Sequence, residues 1–375
     1  MRDYDALDNE AITAVKRLIL DGVAVAVAGT AEDAPKIYAA HARDTGGTPQ
    51  ATLWGFGAKV PASAAAYANA VSMHVLDFEP MWSPPTHAVS PVVPAVLALA
   101  EARGGSGRDV IAACANGFEI QGRILAAAKP ARGALPFHSP GVMGPMGSAV
   151  ASAHMLKLDA AQLANALGLA ASSSAGLFAF VAGGGDVKRL HAGHASREGM
   201  QAALLAEQGT EGPPNVIEGR DGFMQAFAFG RIDKARPIAL PPQAEYGITD
   251  CYIKPYACCR HIQPAVEAAF GLCTDEDIKF DDIKKVDVET YKIATEHAHV
   301  PWDDFASAQL SFPYLMGLAT RYRGVKFEHF DDKNRADPHS VSLVARPACT
   351  AHQLAHTEVM SVAISSAVRA LSSWF

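Results

Sequence analysis

Five short segments carry side chains that could move protons or grip anions. The first, His74 to His87, reads His-Val-Leu-Asp-Phe-Glu-Pro-Met-Trp-Ser-Pro-Pro-Thr-His. It sets an imidazole and two carboxylates, Asp77 and Glu79, at the end of an expected helix, then a proline-rich turn carrying a second imidazole, His87. Loops at helix ends commonly carry function, although a capped, solvated turn would have the same composition. The second segment, Phe137-His138-Ser139-Pro140-Gly141-Val142-Met143-Gly144, is a Gly/Pro loop opening a helix of small residues. Free N–H groups at a helix start suit a carboxylate, with His138 beside them; an ordinary loop with a surface histidine is the alternative. The third, Gly183 to His194, is glycine-rich and then basic. No Gly-Lys-Ser/Thr follows and no clear strand precedes it, so neither the P-loop nor the dinucleotide fingerprint fits. It delivers Lys188 and Arg189 to the start of a helix. Two adjacent cations could grip a polycarboxylate there, the arginine bidentately; a solvated basic turn is the competing reading. The fourth, Lys254-Pro255-Tyr256-Ala257-Cys258-Cys259-Arg260-His261, invites a metal. Adjacent cysteines rarely both ligate one tetrahedral ion, so the spacing argues against zinc. A nucleophilic cysteine has no accompanying motif. The fifth, Ala308 to Tyr314, starts a helix with a tyrosine whose default is core packing.

These segments need elements to hold them. Residues 1–245 are rich in Ala and Gly and read as helix after helix. Asp8 or Asn9 caps the first, with Ile12, Val15, Leu18 and Ile19 as its apolar face. Further helices are expected over 64–76, 94–102, 109–129, 147–156, 160–173 and 191–207. Small residues in such numbers let helix backbones approach closely, although a genome that favours alanine would give the same composition. From about residue 250 the texture changes. Ile283 to Lys292 alternates apolar and polar residues, which predicts a strand, and Ala306 to Thr320 predicts a helix. A smaller α+β domain is therefore placed over 250–355, with a helix as the candidate for the remaining segment, 356–375.

The bulk numbers exclude several classes. A chain of 375 residues with 49% hydrophobic residues is long for one core and suits two domains. Its net charge of −7 gives no global reason to hold nucleic acid or an anionic membrane, so an anionic substrate needs a local basic pocket. The N-terminus puts acidic residues before any apolar run, unlike a secretory signal, and no apolar run approaches bilayer length. Six sparse cysteines show no disulfide-scaffold spacing. The expectation is a cytoplasmic protein with reduced thiols.

Taken in this order, the five segments resemble the MmgE/PrpD family, which includes 2-methylcitrate dehydratases, cis-aconitate decarboxylases and an iminodisuccinate epimerase. Supporting stretches are Leu20-Asp21-Gly22, Gly117-Phe118-Glu119-Ile120-Gln121, Ala166 to Ala170, and Glu218 to Phe223. The resemblance implies a mainly α fold, with a large all-helical domain and a smaller α+β lid. It also implies a homodimer, no metal or organic cofactor, and a site in the cleft between the domains. Family active-site positions fall on Asp77, His87, His138, Lys188 and Tyr314. Arg189 and Arg260 are expected to neutralise substrate carboxylates, and His261 to stand in for a histidine that relatives often have at Gln263. Two departures stand out. Relatives commonly read Asp-Phe-Asp-Asp-Thr where this chain reads Asp77-Phe78-Glu79-Pro80-Met81, so a hydroxyl gives way to methionine. The C-terminus is also shorter than the family's, and the tail from Pro347 matches it poorly.

The implied function is a cofactor-independent lyase acting on a small di- or tricarboxylate. Dehydration of a 2-methylcitrate-like hydroxy acid comes first, by removal of a proton next to a carboxylate. Decarboxylation of the cis-aconitate type, epimerisation of the iminodisuccinate type, and a non-catalytic family member are the alternatives. Two acid/base groups are needed for elimination or epimerisation. His87 or His138 is expected as one and Tyr314 or Lys188 as the other, with Asp77 orienting a histidine or binding the leaving hydroxyl.

Overall fold

The structure, a computed structural model, describes all residues except 84–85, 129–136, 184, 234–237, 240–244, 299, 338–348, 354–360, 367–369 and 375. The chain divides into two compact units. One comprises Met1–Phe178 and Asp186–Lys254; the other comprises Ala179–Gly185 and Pro255–Phe375.

Ten helices are introduced here in chain order. They are α1 (Asn9–Gly29), α2 (Asp33–Thr45), α3 (Ala62–His74), α4 (Val89–Arg103), α5 (Gly107–Ala127), α6 (Ser139–Met155), α7 (Ala160–Ser172), the short α8 (Phe180–Gly183), α9 (Val187–Glu207) and α10 (Phe223–Phe227). All but α8 belong to the first unit. Local chemistry starts them: the Asp8 carboxylate accepts from Ala11 N–H at 2.7 Å to cap α1, and Ser106/Asp109 and Asp159/Gln162 form capping boxes on α5 and α7. The helical unit also holds a short antiparallel hairpin, β1 (Ala51–Leu53) with β2 (Ala58–Val60). The Asn69 side chain of α3 clamps it, donating to Thr52 O at 2.8 Å and accepting from Trp54 N–H at 3.0 Å. Strands of three residues are too short to show an alternating pattern, so the all-helical expectation misses them.

The central helix is α6, buried from Pro140 to Met155 and packed against α5 and α9. It starts eight residues before the expected Gly147 because its glycines serve contact rather than a turn. A Cβ on Gly147 would lie 2.5 Å from Gln121 Cγ of α5, and one on Gly199 of α9 would lie 2.3 Å from Pro145 O. The Ala/Gly richness thus encodes helices packed backbone to backbone, at a density that leaves no room for a methyl group.

The second unit carries α11 (Gln263–Asp275), β3 (Ile283–Thr290), α12 (Lys292–Thr295), α13 (Phe305–Ala308), α14 (Phe312–Tyr322), α15 (Asp332–Arg335), β4 (Cys349–Gln353), β5 (Ser361–Ser366) and β6 (Ala370–Trp374). The sheet order is β4-β3-β5-β6, with β4 parallel to β3 and the other pairs antiparallel. α11 packs on β5, β6 and α14. The tail over 356–375, a candidate helix in the sequence, instead supplies strands β5 and β6. Its apolar residues alternate: Val362 pairs with Val288 and Ile364 with Val286, and all four are buried. The helix expected over 306–320 is two helices, because Ser311 caps α14 (Oγ accepts from Tyr314 N–H at 3.4 Å) and Pro313 sits in its first turn. Ala179–Gly185, inside the expected helical domain, joins this second unit, where Gly185 N–H donates to the Asp304 carboxylate at 3.4 Å. Among the described residues no helix is long and apolar enough to cross a membrane.

Candidate active site

In the first unit the polar segments converge on Asp77. This residue follows α3 with φ 47°, in the left-handed region that Asp and Asn tolerate better than most. Lys254 donates to its carboxylate at 2.7 Å and also to its backbone carbonyl. Lys188, in the first turn of α9, donates to the other carboxylate oxygen. Burial opposes ionisation of Asp77, but Lys188, Lys254 and His87 together outweigh it and hold the carboxyl well below its ordinary range. An isolated antiparallel bridge brings Lys254 there: Met81 and Tyr252 exchange N–H···O bonds of 2.9 Å. Met81 contributes here through its backbone.

Glu79 is the second anchor. His74, at the end of α3, hydrogen-bonds it; Ser90 Oγ donates to it at 3.0 Å; His87 Nδ1 lies 2.9 Å from the same oxygen. Burial again opposes the charged form, and His74 and His87 more than offset it, so the carboxyl titrates well below its ordinary range. His87 Nε2 then reaches to 3.5 Å from Asp77, bridging the two carboxylates. Trp82 closes the loop: its N–H donates to Thr86 O at 2.9 Å, and its indole covers Gly122 of α5, where a Cβ would lie 2.2 Å from the ring.

The imidazoles form a cluster. The rings of His74 and His87 stand edge to face at 4.4 Å, and His138 lies 5.7 Å from His74 and 6.2 Å from His87. His138 caps the start of α6, and its Nδ1 is 3.1 Å from His191 Nδ1 of α9. Burial lowers His74 and His191 to about 4 and pushes His138 well below the usual imidazole value. At neutral pH these three rings are therefore uncharged. Among the described residues, Glu79 Oε2, His74 Nε2 and Thr86 Oγ1 are buried polar atoms with no hydrogen-bond partner. Buried groups of this kind are uncommon, and they mark a place built for something polar.

Two triads bring ligand-type atoms within 4.8 Å of one another: His74/His87/His138 and Asp77/Glu79/His87. Lysine ammonium groups already hold the Asp77 carboxylate in the second. In the first, the Lys188 charge already disfavours a proton on His74 and His138, and it would oppose a dication in the same way.

Of the residues singled out in the sequence, Asp77, His87, His138 and Lys188 lie together in this cluster. Arg189 does not share their face. Lys188 and Arg189 stand in a helix rather than a turn, and consecutive helical residues diverge by about 100°. Arg189 is buried towards Asp186, 3.3 Å away, and its charge acts on Glu32. His191, one turn beyond Lys188, shares the lysine's face instead. Tyr314, Arg260 and His261 belong to the second unit. The Tyr314 hydroxyl donates to His329 O, and its ring stacks on Trp302 at 6.2 Å and lies 6.2 Å from Phe330. Arg260 donates to the Tyr291 hydroxyl at 3.4 Å, and that hydroxyl lies 2.6 Å from His261 Nδ1. Sequence reasoning missed Lys254 and His191 as members of the cluster and gave no role to His74 or Glu79. The proximity of His74 and Glu79 to Asp77 in the chain was the one available signal.

A model of the MmgE/PrpD N-terminal domain matches residues 2–234, and one of the C-terminal domain matches residues 256–359. The chain belongs to the MmgE/PrpD family. It is 34% identical over 247 residues to a human protein named cis-aconitate decarboxylase, covering 64% of this chain and 50% of that one. A mouse protein of the same name is 33% identical over 220 residues (57% and 44%), and one from Aspergillus terreus is 30% identical over 285 residues (72% and 57%). The chain spans about half the length of the curated relatives it matches.

Proposed function

We propose that this MmgE/PrpD chain is a cofactor-independent lyase that decarboxylates a small unsaturated tricarboxylate of the cis-aconitate type. The observation that carries the reading is the buried pairing of Asp77 with Lys188 and Lys254 beside three histidines, in a chain similar to proteins named cis-aconitate decarboxylase. Dehydration, which the sequence alone puts first, would use the same groups; the names of the relatives favour decarboxylation.

The two lysines divide their work. Lys254 has no exposed side-chain surface, whereas the Lys188 side chain keeps 11%. Lys254 is the permanent partner of Asp77, and Lys188 turns to a substrate carboxylate when one arrives. Cis-aconitate carries a carboxylate on the carbon next to its double bond. When the far alkene carbon takes a proton, the bond to that carboxylate breaks, its electron pair forms the new double bond, and CO2 leaves. The proton comes from an imidazole. His74, His138 and His191 are neutral in the free chain, but a bound polyanion favours their charged form, so substrate binding loads the donor. His138 is that donor, oriented by His191, while Glu79 and Asp77 fix His74 and His87.

The test is proton NMR in deuterated water with cis-aconitate, 2-methylcitrate, citrate and iminodisuccinate, run on the chain and on Lys188→Met. The expected result is CO2 loss from cis-aconitate, with one deuterium in the product, slowed about 10²–10³-fold by Lys188→Met, as is typical when one preorganised donor is removed. Water loss from 2-methylcitrate without decarboxylation would assign the dehydratase reading. A folded chain that turns over none of the four would overturn the lyase reading.

A further inference from the structure

The second unit holds a cysteine–histidine contact of its own, independent of the proposed lyase reading. Cys259 Sγ lies 3.6 Å from His297 Nε2, and His297 Nδ1 lies 3.1 Å from Leu310 O. A carbonyl oxygen can only accept, so Nδ1 carries the ring proton. Nε2 then presents a lone pair, and the contact with Cys259 is S–H···N. One backbone turn builds the arrangement. Cys259 N–H donates to Gln309 O at 2.9 Å, Leu310 O orients His297, and Phe312 N–H donates to His297 O at 3.2 Å. This is the nucleophile–base–orienter geometry of an activated thiol, with a main-chain carbonyl as the third member. His261 stacks on His297 at 6.1 Å, and it forms a partly exposed rim with Arg260 and Tyr291.

We propose that Cys259 is a nucleophilic thiol activated by His297, and a site at which small electrophiles modify the second unit covalently. In the step, the thiol proton passes to His297 Nε2. The sulfur pair forms a bond to the electrophilic carbon, and the leaving group departs with its bonding electrons. Burial pushes the Cys273 thiol up to about 11, and the Cys114 and Cys251 thiols higher still.

The test uses the full chain with iodoacetamide, in which the C–I bond breaks and iodide leaves, and reads each cysteine by peptide mass spectrometry. Cys259 is expected to label at least about tenfold faster than Cys273 or Cys251 near neutral pH, and His297→Gln to remove that advantage. Should His297→Gln fail to fold, the pH profile of the unaltered chain decides. A rate that levels off below about pH 7.5 supports the dyad, and one that follows an ordinary thiol near 8.5 overturns it. Equal labelling of the cysteines, or a folded His297→Gln with undiminished labelling of Cys259, would also overturn it.

Discussion

Asp77→Asn is the sharpest perturbation of the first unit. Asparagine keeps the shape and tolerates the left-handed backbone of this position, so the substitution removes charge and little else. Lys188 and Lys254 both contact the Asp77 carboxylate, whose side chain is 3% exposed. Two unit charges about 4 Å apart interact by about 4 kcal/mol at an effective dielectric near 20. Without the carboxylate that attraction vanishes and the ammonium groups repel across an amide. Removing one partner of a buried pair costs about 3–5 kcal/mol. In a unit of this size 1 kcal/mol moves the unfolding midpoint by about 2–4 °C, so the midpoint should fall by roughly 10 °C. The pH dependence gives a second, sign-sensitive check. The folded-state carboxyl titrates well below 3.8, so its contribution is complete above about pH 4 and is lost as pH falls through the folded value. Asp77→Asn lacks that limb. Thermal unfolding followed by circular dichroism across this range measures both. A variant within about 1 °C of the parent at pH 7 would refute the reasoning.

Other substitutions follow from the same packing and polarity. His191→Ala removes the ring 3.1 Å from His138 Nδ1. Turnover of the substrate identified by NMR should fall about 10–100-fold, mostly in kcat, because the donor loses its orientation; an unchanged kcat would remove His191 from the scheme. Gly199→Ala puts a methyl group 2.3 Å from Pro145 O, a backbone atom that cannot step aside. The better helix propensity of alanine is worth at most about 1 kcal/mol, and overpacking costs about 1–3 kcal/mol, so the midpoint should drop; a rise would mean that α6 and α9 are less tightly packed. Lowering the pH from 7 to 4 should destabilise the unaltered first unit. His74 and His191 are held near 4 when folded and bind protons near 6.5 when unfolded. Urea midpoints that stay level over this range would contradict the buried neutral rings.

Much of the cluster is legible in the chain because its members stand at helix ends, where sequence order and spatial order nearly coincide. Asp77, Glu79 and His87 are such residues, and so is His138, the cap of α6. Lys254 is not. It reaches Asp77 through the Met81–Tyr252 bridge, a pairing across more than 170 positions that no local pattern encodes. Arg189 is misplaced for the opposite reason: treating the glycine run as a flexible turn frees two neighbouring cations to face one ligand, and the helix forbids it. The same habit of taking glycine as a loop signal hides the first two turns of α6. In the second unit the β3 alternation is plain, whereas β5 and β6 are short and serine-rich, so only their pairing with β3 and with each other defines them.

The backbone of Asp77 and the placement of Lys254 are one device. A left-handed aspartate costs of order 1–3 kcal/mol, and charge-assisted hydrogen bonds to a buried carboxylate are worth more than neutral ones. Lys254 bonds both the carbonyl and the carboxylate of Asp77, which requires the two oxygens to converge on one ammonium group. The strained backbone is thus held by the cation it binds, and this fixes the carboxylate without help from Lys188. On the proposed lyase reading, Lys188 then leaves Asp77 for an incoming anion without exposing an unpaired buried charge, and a chain of net charge −7 offers that anion a cation from inside its own core.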